Sequence, residues 1–205
     1  MDKEKYIKAI KQLALLKSKS SRMRLAAEDW DKDWKTLIAT SMSAQSRDEV
    51  TIKIATELFD RFPTLEKLAS AKYLDVLGVL KSLNYNKTKA KNIIACAKML
   101  VNDFGGVVPL DFEKLIQLPG VGRKTANVFL SEYGFDAIGV DAHAAYISKK
   151  LNWTKNKVPE KIEFDLKELF PKKDWKRINP ILVRFGKTYT SRKEKDKVLS
   201  EIEKI

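Results

Sequence analysis

The chain has 205 residues, 44% apolar and 33% charged, with eight glycines, six prolines and one cysteine, Cys96; this suffices to bury a core without disulfide or metal staples and excludes collagen, coiled coil and disorder. No apolar run nears the roughly 20 residues of a bilayer crossing, the opening Met1-Asp2-Lys3-Glu4-Lys5 lacks a secretory apolar stretch, and a lone thiol forms no intrachain disulfide, so a cytoplasmic setting is expected. The net charge of +13 is concentrated at the ends, with eight basic against two acidic residues over 1–24 and eleven against five over 172–205, which suits a polyanion partner better than a membrane.

Apolar residues recur at helical spacing almost throughout and strand alternation is missing, so the chain reads as all-α. Tyr6, Ile7, Ile10, Leu13, Ala14 and Leu16 trace a first face, and Trp34, Leu37, Ile38 and Met42 a second. Ser46 with Glu49 three positions on has the form of a capping box, opening a helix through Val50, Ile54, Leu58 and Phe59 that stops before Pro63. Thr64 caps a short successor. From Lys87 to Asp103 the face of Ala90, Ile93, Ile94, Ala97 and Leu100 is continuous, and Gly105-Gly106 supplies a permissive helix end. Asp111 caps a short helix to Gln117. Pro119, Gly120 and Gly122 then break the pattern, and a helix resumes through Val128, Phe129 and Leu130 to Gly134. Further helices are expected over 142–151, 159–169, 175–189 with an interruption at Pro180, and 193–205.

The sharpest motif is Leu118-Pro119-Gly120-Val121-Gly122-Arg123-Lys124-Thr125-Ala126-Asn127, a glycine-bracketed turn running into a helix. Its glycines let main chain approach an anion, and the helix start offers N–H groups and partial positive charge, so the turn can hold a phosphate without reading a base. An ordinary helix-to-helix turn is the plainer alternative. Lys124 in the first turn of the second helix sharpens the pattern, because a helix N-terminus and partial burial both disfavour the ammonium form and favour a nucleophilic amine. Downstream, Asp141 in Val140-Asp141-Ala142-His143 could steady positive charge on a sugar or move a proton. A phosphate-binding lysine and a helix-capping aspartate account for the same spacing.

These segments, with Met42-Ser43-Ala44-Gln45, Asn92-Ile93-Ile94 and Gly106-Val107-Val108-Pro109, make the chain resemble the endonuclease III branch of the helix-hairpin-helix DNA glycosylases, without a visible gap from Trp34 to Tyr133. The resemblance implies two helical domains flanking a DNA-binding cleft: a continuous domain over 26–136 holding the hairpin at about 111–133, and a second built from 1–25 with 137–205. It implies a bifunctional glycosylase and abasic-site lyase of base excision repair, acting as a monomer on oxidised pyrimidines and abasic sites in double-stranded DNA. Lys124 would be the Schiff-base lysine and Asp141 the essential carboxylate. Leu118, Gly120, Val121, Gly122, Arg123 and Thr125 of the hairpin would meet DNA, as would His143. Gln45 would fill the gap left by the flipped nucleotide. The opposite-strand wedge, normally preceded by glycine, falls on Asn84-Tyr85, where Asn tolerates a left-handed backbone and Tyr85 can stack on a base. Two rivals remain at this stage: a glycosylase for uracil or thymine opposite guanine, and a hairpin module that binds DNA without chemistry.

One departure stands out. Many members of this family end in a four-cysteine loop carrying an iron–sulfur cluster. Here Ser191 stands where the first cysteine is expected, followed by Arg192, Lys193 and Glu194. A cluster-free protein is expected, with no cofactor and no metal beyond a monovalent cation that the hairpin backbone could hold. Val198, Leu199, Ile202 and Ile205 would close the second domain by apolar packing. Cys96 reads as packing, and Trp30, Trp34, Trp153 and Trp175 as core anchors.

Overall fold

The structure, a computed structural model, describes residues 2–205. Those residues form helices α1 (Lys3–Ser18), α2 (Asp33–Met42), α3 (Asp48–Arg61), α4 (Leu65–Ala69), α5 (Tyr73–Val79), α6 (Asn86–Phe104), α7 (Phe112–Leu115), α8 (Arg123–Glu132), α9 (Ala142–Lys150), α10 (Pro159–Leu169), α11 (Lys172–Thr188) and α12 (Arg192–Glu203), with a 3₁₀ turn at Leu80–Ser82. No strand occurs among them. They divide into two compact units, one of Arg24–Glu132 and one joining the chain up to Met23 with Tyr133–Ile205.

In the Arg24–Glu132 unit, α6 packs on α4 and α5, and α2 on α3 and α8. Leu37, Ile38, Met42, Leu58, Leu100 and Phe129 are fully buried there, each worth roughly 1.5–3 kcal/mol of transfer free energy. Trp30 and Trp34 both meet Phe59 edge-on, at 5.0 and 5.2 Å between ring centroids, which makes them core anchors. The Thr64 hydroxyl accepts from Lys67 N–H and caps α4. Gly105, at φ +60°, ends α6, and Gly106 N–H returns to Leu100 O at 2.8 Å. The expected capping box does not form. Arg47 stands at the N-cap of α3 without a side-chain cap, and Ser46 lies one residue outside it. Helix α5 lies where no helix is expected: its seven residues include Gly78 and show less than two turns of periodicity, yet Val76 and Val79 are buried against α6.

The second unit gathers both chain ends, and with them nearly all of the basic excess. Helix α1 lies on α11, α12 and α10, and α9 on α11 and α12. Its core holds Leu13, Leu16, Ile147, Leu166, Phe170, Leu182, Phe185, Leu199 and Ile202. Three expectations change here. Ile7 and Ala14 point outward and Ala9 takes their place in the core, because the buried stripe of α1 is rotated slightly from the one read off the sequence. Ile205 is exposed, since α12 ends at Glu203. Helix α11 runs unbroken through Pro180. Proline withholds one N–H, whereas Ile178, Ile181, Leu182 and Phe185 bury a full stripe and Asn179 Nδ2 donates to Gly139 O at 2.7 Å. Trp153 and Trp175 are anchors too, the latter donating to Phe170 O at 2.7 Å.

Gln12 joins the ends at a single buried point. Its Oε1 accepts from Trp153 Nε1 at 2.7 Å and its Nε2 donates to Ile202 O at 3.3 Å. Replacing Gln12 by Ala strands both partners in the core, an expected loss of about 1–3 kcal/mol, read as a lowered denaturant midpoint.

Candidate functional site

The hairpin is built from α7, the turn Ile116–Gly122 and α8. Asp111 caps α7 by accepting from Lys114 N–H at 2.9 Å, and Val121 N–H donates to Leu118 O at 3.0 Å. The two glycines serve different ends. Gly120 sits at φ +79°, and a Cβ there would lie 2.9 Å from Asn92 Cβ and 3.3 Å from Ser41 Oγ; Ser41 Oγ donates to Gly120 O at 2.9 Å. Gly120 thus seats the turn against α2 and α6. A Cβ on Gly122 would meet nothing within 4 Å, so the main chain there is open to an incoming group.

The side chains of Leu118, Val121 and Thr125 point into the unit and are 2%, 5% and 7% exposed. They anchor the turn, and any contact these residues make with a ligand comes from main chain. Arg123 is exposed, with its guanidinium 5.0 Å from the Phe112 ring centroid. Lys124, the second residue of α8, is half-buried at the positive end of the helix, where the first N–H groups lack intrahelical acceptors.

Asp141 opens α9 in the other unit. One carboxylate oxygen accepts from Ala144 N–H at 2.8 Å, which fixes the side chain at the helix start while leaving it half-buried. His143 lies on the backbone of α11: a Cβ on Gly186 would come within 2.3 Å of its Nδ1. The imidazole is held by packing inside its own unit.

Gln45 and Tyr85 are exposed, and both adopt the left-handed backbone conformation, at φ +53° and +58°. Neither residue type favours it, and such conformations cost of order 1–3 kcal/mol each. The left-handed residue is Tyr85 itself and not Asn84, whose side chain donates to Gln45 O at 2.7 Å. Beneath them, Lys89 is buried, with Nζ donating to Ala44 O at 2.8 Å and Ser46 Oγ at 3.0 Å. Desolvation lowers the Lys89 pKa from 10.5 to about 8. Sequence reading passed over Lys89, although its position four residues before Ile93 and eight before Ala97 puts a lysine in the apolar stripe of α6.

Cys96 is buried in α6, and desolvation raises its thiol pKa to about 12, leaving it neutral and inert. A family-type iron–sulfur cluster needs four thiolates, and the residues present do not fit one. At the expected first position Ser191 instead caps α12 by accepting from Glu194 N–H, and α12 fills the core with Leu199 and Ile202. Among the described residues no group of three or more His, Cys, Asp or Glu could hold a metal ion, and no helix is long and apolar enough to cross a membrane.

Comparison with known proteins settles the family. Residues 38–172 match the HhH-GPD superfamily of base excision DNA repair proteins. The chain belongs to that superfamily. Within it, the chain is 41% identical to endonuclease III of Thermotoga maritima over 156 residues, 75% of this chain and 73% of that one. It is 37% identical to endonuclease III of Bacillus subtilis over 155 residues, 74% and 70% respectively. The fold superposes with a TM-score of 0.83 on a trapped endonuclease III–DNA covalent intermediate with an estranged adenine, at 28% identity, covering 91% of this chain and 88% of that one. As a member of the endonuclease III family the protein is a DNA glycosylase of base excision repair, and the rival of a hairpin module without chemistry gives way to that identity; a glycosylase for uracil or thymine opposite guanine belongs to the same superfamily.

Two outcomes follow from the geometry. Gly120→Ala must strain its backbone and push on Asn92, lowering stability by about 1–3 kcal/mol, whereas Gly122→Ala, facing open space, costs about 1 kcal/mol or less; thermal midpoints compare them. Between about pH 8 and the unfolded Lys89 value of 10.5 the unfolded chain holds the extra proton, so wild-type stability should rise with pH relative to Lys89→Met, the burial cost being complete below pH 8.

Proposed function

We propose that the protein is a bifunctional glycosylase and abasic-site lyase that works through Lys124 as a Schiff-base nucleophile and Asp141 as its carboxylate. The observation that carries the reading is a half-buried lysine at the second position of α8, two residues after Gly122, whose outer face is open. Phosphate binding needs only the turn and positive charge; a lysine there, kept partly from water, supplies a nucleophile as well. The covalent intermediate trapped in the similar solved structure supports it.

In this mechanism the hairpin main chain at Gly120, Val121 and Gly122 grips a phosphate of double-stranded DNA while the damaged nucleotide swings out of the stack, at roughly a few kcal/mol. Gln45 enters the gap and Tyr85 wedges the opposite strand. The neutral Lys124 amine attacks C1′ of the sugar; the glycosidic bond breaks, and its electron pair leaves with the base, which takes up a proton. Asp141 stabilises the cationic sugar as this bond opens. Loss of the nitrogen-bound proton and opening of the ring leave a protonated imine. That cation acidifies the C2′ hydrogen, whose departure drives β-elimination of the 3′ phosphate and nicks the strand. Water then hydrolyses the imine and frees Lys124.

Every atom needed comes from the chain, the DNA and water, so the reaction runs without cluster, redox cofactor or divalent metal. The substrates are oxidised pyrimidines and abasic sites, met by a monomer in the cytoplasm. Arg123 and the basic second unit supply the charge that draws the duplex in.

Borohydride reduces the imine to a stable amine and locks protein to DNA. Wild type should trap on an abasic duplex; Lys124→Ala should bind it without trapping, and Asp141→Asn should slow base removal by about 10²–10⁴. Wild-type protein that binds abasic DNA but neither traps nor nicks it overturns the proposal.

A further inference from the structure

Gln45 and Tyr85 belong to different segments, the turn after α2 and the entry to α6, separated by forty residues of chain. Each is exposed, each is left-handed, and neither is glycine, asparagine or aspartate. Backbone in that state persists only where its surroundings hold it. Two side chains do the holding. Asn84 Nδ2 donates to the main-chain carbonyl of Gln45 itself at 2.7 Å, tying the residue beside Tyr85 to Gln45. Lys89 Nζ donates to Ala44 O at 2.8 Å and to Ser46 Oγ at 3.0 Å, clasping the residues on either side of Gln45 from below. Asn86 Nδ2, donating to Lys81 O at 3.0 Å, closes the far side of the Tyr85 segment.

A buried lysine is an expensive way to join two loops: its charge is desolvated, and both acceptors are neutral. An apolar side chain of the same length would fill the stripe of α6 beside Ile93 and Ala97 at lower cost. What the amine adds is direction. It fixes where Ala44 and Ser46 lie relative to α6, and so fixes the projection of Gln45 relative to Tyr85.

We propose that Asn84 and Lys89 are positioning residues that lock Gln45 and Tyr85 into one rigid two-pronged element, so that the two enter the DNA stack together, at a preset separation. This rests on the reading that Gln45 and Tyr85 are the intruding side chains. Asn84 and Lys89 act through the Gln45 turn that they bind. Preorganisation spares the complex the ordering of two loops while the duplex is being opened. Loss of either tie therefore slows opening of the duplex and leaves the chemistry on an already open strand untouched.

The test separates opening from bond making. A duplex carrying a non-cleavable tetrahydrofuran site opposite 2-aminopurine reports unstacking of the opposite base as a rise in fluorescence. Asn84 is exposed, so Asn84→Asp keeps the fold while replacing the donor by an acceptor facing Gln45 O; Lys89→Met keeps the volume and removes the donor. With wild type the fluorescence should rise on binding. Each variant should cut the rate of that rise about fivefold or more, the worth of one hydrogen bond, with unchanged affinity for undamaged duplex and a thermal midpoint lowered in Asn84→Asp by no more than a few degrees. On a single-stranded abasic oligonucleotide, which needs no opening, borohydride trapping should proceed at the wild-type rate in both. Full-rate unstacking in Asn84→Asp overturns the proposal, as does an equal fall on duplex and single strand. Wild-type unstacking without any trapping would remove the lyase reading and leave the two-pronged element standing.

Discussion

The absence of one methyl group at Gly120 sets the geometry of the hairpin. With φ at +79° and Asn92 Cβ only 2.9 Å from where a side chain would begin, the turn can settle onto α2 and α6 only as glycine, and Ser41 then takes its carbonyl. Leu118 and Val121 drive that settling by burial. Once the turn is seated, the first residue of α8 and the direction of its axis follow. Lys124 therefore stands at the positive end of a helix whose start is fixed by packing from below, while Gly122 keeps the outer face clear.

Buried polar side chains do a second kind of work. Apolar contacts are non-directional and would tolerate small slides between helices; a hydrogen bond in a low-dielectric interior does not. Gln12 registers α1 against α12 and Trp153, Asn179 registers α11 against the strap before α9, and Lys89 registers α6 against the turn after α2. In each case the pin lies where a loop or chain end must be placed accurately. The two basic termini share one unit despite their mutual repulsion because the apolar core of α1, α11 and α12 outweighs charges that remain solvated at the surface.

Cluster chemistry and helix packing are two solutions to closing the same unit. Four thiolates on a metal cluster staple a chain terminus covalently. Here Ser191 begins a helix in place of the first thiolate, and Leu199 and Ile202 complete the core by burial, with Gln12 donating to Ile202 O. Closure of the unit at this end rests on apolar area.

Much of this was legible from residue order. Helical periodicity located α2, α3, α6, α8 and α10, because long amphipathic stripes repeat often enough to be read; Thr64, Asp111 and Asp141 announced helix starts through local side-chain chemistry; and the hairpin with Val-Asp-x-His pointed to the family. Other features depended on residues distant in the chain. Ser46 has the right neighbours for a cap, yet α3 starts with Arg47 at its N-cap, and the Ser46 hydroxyl accepts from Lys89, forty-three positions away. Pro180 should break a helix, and the packing of α11 carries it through. The left-handed state falls on Tyr85 and not on Asn84, whose side chain reaches Gln45 O, thirty-nine positions earlier. Periodicity and capping act over a few residues and are written in the local sequence, whereas the partner of a buried donor is chosen by whichever acceptor folding brings within 3 Å, and that choice exists only in three dimensions.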